Sequence, residues 1–138
     1  MRWLLDTNVT SELRRARLPG VDNHFAAWAE RTDLADAAIS VVTIHEMMRG
    51  ALLIERRDPA QAATYLSWLR VLMTAFDQRI LDVSQEVAIV SARYHVPDPA
   101  PLADALIAGT AAVHELTVVT RNTADFARFG VPLLNPWE

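Results

Sequence analysis

Apolar residues in this chain fall into two patterns that take turns: short unbroken runs, and longer stretches with apolar positions three and four apart. Unbroken runs of about four to eight residues suit buried strands, and the wider spacing suits helices with one apolar face. Arg2 to Asp6 is an apolar run closed by an acid and predicts a first buried strand. Val9 to Ala16 predicts a short helix ending near Pro19-Gly20. Asp22 suits the cap of a helix to about Arg31, with Phe25, Trp28 and Ala29 on one face. Ala38 to Val42 predicts a second strand, and Thr43-Ile44-His45-Glu46 opens a helix to about Ile54. Asp58-Pro59 pairs a cap with a proline at the first helical position. The helix it starts carries Tyr65, Leu66, Leu69, Leu72, Met73 and Phe76. Arg79 to Val83 predicts a third strand, and Ser84 caps a helix to about His95. After a rigid loop from Pro97 to Pro101 comes an alanine-rich helix, Leu102 to Glu115. Leu116 to Thr120 and Val131 to Leu134 complete the set as fourth and fifth strands. Strands that alternate with helices predict an α/β sandwich around a mostly parallel sheet.

The 138 residues suit one domain spanning 1–138, and an apolar share of 51% with 22% charged is an ordinary globular balance. No uncharged apolar run is long enough for a membrane span, and Asp6 breaks the first apolar run too early for a signal peptide. There is no cysteine, which excludes disulfides, thiolate zinc sites and cysteine nucleophiles. A cytoplasmic protein is the expectation. All 13 basic side chains are arginine, which excludes Schiff-base chemistry and a Walker-type lysine. The net charge of −4 disfavours indiscriminate nucleic-acid binding. It leaves room for a metal nuclease, because a bound cation inverts the local charge.

In parallel sheets, ligands bind beyond the carboxyl ends of the strands. Asp6 closes the first strand, Glu46 lies in the first turn after the second, and Asn122 and Asp125 follow the fourth. Asp104 begins the helix that feeds the fourth strand, and joins this edge if the proline loop delivers it there. Converging carboxylates with a substrate phosphate suit Mg²⁺, which takes oxygen ligands and keeps several waters. Each acid also has a plainer role. Asp6 suits a helix cap, Thr43 and Glu46 fit a capping box, Asp104 suits the dipole of its helix, and Asp125 suits a solvated turn. His24, His45, His95 and His114 have no metal-ligand spacing.

Four blocks, in order, resemble the PIN-domain ribonuclease toxins of the VapC family. They are Leu4-Leu5-Asp6-Thr7-Asn8-Val9-Thr10-Ser11-Glu12-Leu13, Val42-Thr43-Ile44-His45-Glu46-Met47-Met48-Arg49-Gly50, Leu102-Ala103-Asp104-Ala105-Leu106-Ile107-Ala108, and Val119-Thr120-Arg121-Asn122-Thr123-Ala124-Asp125-Phe126. The closing Asn135-Pro136-Trp137 resembles the FitB-like branch. The resemblance implies a PIN-like three-layer sandwich and hydrolysis of RNA phosphodiester bonds by a metal-activated water. It implies an acidic centre of Asp6, Glu46 and Asp104, with Mg²⁺, replaceable by Mn²⁺, on Asp6 and Asp104. Thr7 and Thr120 resemble the family's hydroxyl positions. Asn122 departs from the family's frequent aspartate, so either three acids suffice or Asp125 supplies the fourth carboxylate. Arg14, Arg15, Arg17 and Arg121 are candidates for RNA phosphates, against the plainer reading of a solvated face. The resemblance also implies a VapB-like antitoxin and a homodimer. Trp28, Trp68, Leu69 and Leu72 suit either those surfaces or the core. Two rivals remain to be weighed: an inactive PIN module that binds antitoxin or RNA, and a receiver-type phosphoacceptor. The receiver lacks its acidic pair and its lysine here.

Overall fold

The computed structural model describes residues 1–138. Five short strands, β1 (Trp3–Leu5), β2 (Ala37–Ser40), β3 (Ile80–Leu81), β4 (Thr117–Val119) and β5 (Leu133–Leu134), form one sheet in the order β3-β2-β1-β4-β5. Every neighbouring pair is parallel, so the sheet is wholly rather than mostly parallel. The crossovers are α1 (Thr7–Leu13) and α2 (Asn23–Arg31), then α3 (Val41–Glu55) and α4 (Pro59–Ala75), then α5 (Gln85–Ala92) and α6 (Leu102–His114), and last α7 (Thr123–Phe126). No helix is long and apolar enough to cross a membrane.

The unbroken apolar runs follow from burial on both faces of the sheet. Leu5, Ile39 and Val119 face one core with Val9, Phe25, Trp28, Met47, Leu69, Leu72 and Phe76. Their strand neighbours Leu4, Ala38 and Val118 face the other, against Ala105, Ile107, Ala108, Ala111, Phe126 and Phe129. Trp28, Leu69 and Leu72 are therefore core residues and not partner surfaces, and Trp68 packs against the same core half-buried. The exposed apolar side chains of α3 and α4 are Leu52, Leu53 and Val71. On the second face α6 lies close to α5. A Cβ added at Gly109 would stand 3.0 Å from Ser91 Cβ and 3.2 Å from the Val87 carbonyl oxygen.

Three expected boundaries move. The first helix starts at Thr7 instead of Val9 and ends at Leu13. The second strand stops at Ser40, whose hydroxyl accepts from Val42 N and caps α3 three residues before Thr43. The Thr43–Glu46 capping box does not form, because both residues already lie inside the helix. The short α7 falls where no element was expected, since four residues carry no readable periodicity.

Strands β1, β2 and β3 step outward in one direction, and the chain then returns to place β4 on the other side of β1. The carboxyl edge between β1 and β4 is thus the point where the winding reverses, where open parallel sheets form a crevice. The register pairs Leu5 with Val119, so the residues that follow, Asp6 and Thr120, emerge side by side.

Candidate active site at the carboxyl edge

Asp6 is buried and does two jobs. One carboxylate oxygen, Oδ1, accepts from Thr7 N at 2.8 Å and caps α1. The other, Oδ2, accepts from Thr120 Oγ1 at 2.7 Å and from Asn8 Nδ2 at 3.3 Å. The cap and the site are therefore one residue, and the plainer reading of Asp6 holds beside the functional one. Burial raises the Asp6 pKa above the ordinary carboxyl value, hydrogen bonds from Thr120 and Thr7 work against it, and the Glu46 charge raises it further.

Glu46 comes from the second turn of α3, where its Oε1 accepts from Thr7 Oγ1 at 2.6 Å. Thr7 Oγ1 also lies 3.2 Å from the buried hydroxyl of Thr43. The hydroxyl after β1 thus aims the carboxylate after β2. Asp104, third residue of α6, does reach the same edge. Its pKa is raised to about 6, first by burial and then by the charges of Asp6, Glu46 and Asp125. The proline loop that delivers it is tied down by Arg128, which donates to the carbonyls of Tyr94, Asp98 and Pro99. His95 helps, its Nδ1 accepting from Ala100 N at 3.2 Å.

Asp125, in α7, stands within electrostatic reach of Asp104 but is exposed. Asn122 is exposed at the start of α7; its side chain makes no capping bond, while its N donates to Thr120 Oγ1 at 3.0 Å. Of the candidate arginines, Arg121 is tied to the Asp6 network through its backbone, its N donating to Asn8 Oδ1 at 3.3 Å. Arg14, Arg15 and Arg17 lie at and beyond the far end of α1 and are exposed. Arg14 packs over the Tyr65 ring at 5.0 Å from its centroid. Beside the acids, Val41, Val42, His45, Glu46, Arg49 and Leu102 line a cleft of about 430 Å³. Sequence reasoning did not single out Asn8 or Arg49, and gave Thr43 only a capping role. Asn8 and Arg49 stood inside the quoted blocks, but only the fold shows what they face.

The donor set is carboxylate and hydroxyl oxygen, without sulfur or imidazole, which suits a hard divalent cation. No three acids or histidines close on one point tightly enough to cage an ion. Mg²⁺ does not require that, since it is held by one or two carboxylates and retains water. No arginine stands within 4.0 Å of a carboxylate anywhere in the chain, so none of the four site acids has an internal counter-cation.

The PIN domain model matches residues 3–132, and the chain belongs to the PIN-domain family. Within that family it is 35% identical to Toxin FitB of Neisseria gonorrhoeae, across 98% of each chain. It is 32% identical to the VapC ribonuclease Y4jK of Sinorhizobium fredii, across 98% of this chain and 97% of that one. Its fold matches the crystal structure of FitAcB from Neisseria gonorrhoeae with a TM-score of 0.87 and 32% identity, over 99% of each chain.

Proposed function

We propose that this chain is a metal-dependent endoribonuclease, the toxin of a toxin–antitoxin pair, and that Asp6, Glu46 and Asp104 are its catalytic acids. One observation carries the reading. Asp104 feels the charges of Asp6, Glu46 and Asp125 at the reversal point of the sheet, and no arginine lies within 4.0 Å of any of the four. Such an arrangement costs stability unless a cation joins it. Mg²⁺ or Mn²⁺ on Asp6 and Asp104 would supply that charge and lower the pKa of a bound water. The chain's own groups do the positioning. Thr120 and Asn8 fix the Asp6 oxygens, Thr7 aims Glu46 at the position where it would orient water, and the Arg128-braced loop presents Asp104. Asp125 is the available fourth carboxylate, and Asn122 a neutral ligand. RNA as substrate is supported by relatives named VapC ribonuclease and toxin. An antitoxin partner, VapB-like in this proposal, is supported by a solved neighbour that is a toxin-antitoxin complex from Klebsiella pneumoniae; a homodimer and a cytoplasmic setting belong to the same proposal.

The test is to incubate the purified chain with total cellular RNA, with Mg²⁺ and with EDTA, beside folded Asp6→Ala and Asp104→Ala variants. Cleavage by wild type alone, and only with metal, is expected. A folded, metal-supplied wild type that cuts no RNA, and that is harmless when expressed alone, would instead make this a binding module.

A further inference from the structure

The carboxyl edge holds a second built feature besides the acids. Strands β4 and β5 both end there, so Arg121 after β4 meets the tail after β5. The Arg121 guanidinium lies over the Trp137 ring, 5.0 Å from its centroid. Trp137 in turn packs on Phe25, centroids 4.7 Å apart and planes tilted by 35°, and Phe25 is wholly buried in the core. The backbone is held as well. Arg121 N donates to Asn8 Oδ1, Asn135 Nδ2 donates to the Arg121 carbonyl at 3.5 Å, and Trp137 N donates to Asn135 Oδ1 at 2.9 Å. Arg121 is thus an exposed cationic plane braced from below and anchored two bonds from Asp6, through Asn8.

We infer that the Arg121 guanidinium, backed by Trp137, is a stacking platform for one unpaired RNA base next to the acidic centre. This rests on the ribonuclease reading and narrows its substrate to single-stranded segments. The chemistry favours it for two reasons. Proteins that read RNA in sequence stack splayed bases on aromatic rings or on arginine planes, which a duplex does not offer. A stacked base also supplies binding that does not depend on phosphate attraction at this edge.

The probe is a fluorescein-labelled single-stranded RNA of mixed sequence, with the same strand annealed to its complement as the duplex. Binding is followed by anisotropy in Asp6→Asn protein, so that cleavage does not intervene. Arg121→Lys keeps the charge and loses the plane, and sits on an exposed side chain. It is expected to weaken single-strand binding about tenfold, the loss of one stacked base, while weak duplex binding stays as it was. Trp137→Ala is expected to do the same, with melting temperature measured alongside. Unchanged RNA affinity in Arg121→Lys, or a lowered melting temperature in Trp137→Ala with unchanged affinity, would overturn the platform and leave a tail clamp. Either result can coexist with full metal-dependent cleavage by wild type, so the platform can fail while the nuclease stands. Stacking-dependent binding by a wild type that cuts nothing would leave the platform and remove the enzyme.

Discussion

Asp104 shows what the site costs the fold. Its pKa of about 6 lies above the ordinary carboxyl value of 3.8, so in the window between them the native chain holds a proton that the unfolded chain has released. Metal-free stability therefore falls as pH rises through that window, and the penalty is complete above it. Asp104→Asn is expected to raise the melting temperature of the metal-free chain by a few degrees at neutral pH, with no gain well below the window. The same substitution should abolish metal-dependent cleavage. A lower melting temperature at neutral pH would mean that Asp104 holds the fold by contacts that its charge does not explain. Asp6 was legible in the sequence because a residue directly after a buried strand has only the sheet edge to go to, whereas Asp104 depended on where the proline loop delivers its helix. Their supports were not. Thr7 and Glu46 are 39 residues apart, and Asp6 and Thr120 are 114 apart, so only the folded backbone shows which hydroxyl meets which carboxylate.

The helices divide by how strongly they announce their ends. Asp22, Asp58 and Ser84 accept from the backbone of the helices they open, as short polar side chains before an apolar stripe should. At the junction of β2 and α3 the sequence pointed to Thr43, while Ser40, a second small hydroxyl residue, lay inside the run expected as strand. The cap went to the one that also ends the strand. Between α5 and α6 the deciding residue is Gly109, whose missing side chain lets Ser91 approach. Gly109→Val is expected to lower stability by about 1–3 kcal/mol, the cost of overpacking a close helix contact. Urea unfolding would measure it, and a neutral effect would mean that α5 yields more readily than its position under α6 implies. Strain there would reach Asp104, five residues earlier in α6 and on the same rigid rod.

At the scale of the whole molecule, two apolar layers close over a sheet whose best-connected edge point gathers like charges. A ligand that neutralises them binds the folded state alone and stabilises it by mass action. Mg²⁺ or Mn²⁺ at a hundredfold excess over its dissociation constant is expected to stabilise the chain by about 2.7 kcal/mol. That corresponds to a rise in melting temperature on the order of 10 °C for a domain of this size. EDTA should reverse the rise, and Asp6→Asn should remove the response. A melting curve indifferent to both ions would contradict metal binding by these acids. The overall α/β order was readable from alternating runs alone. That every strand pair is parallel follows from how each connection crosses back, which local pattern does not encode.

The reversal at β1 also has a consequence in time. β1 is the middle strand of the sheet, and it stays open on one side until β4 exists. A ribosome makes Asp6 114 residues before Thr120, the hydroxyl that holds it. Asp104 and the Arg121–Trp137 stack arrive in the same late segment. Until the segment from Asp104 onward is made, a nascent chain carries only half of its acidic edge. The order of translation itself delays the finished site until β4 and β5 have been made.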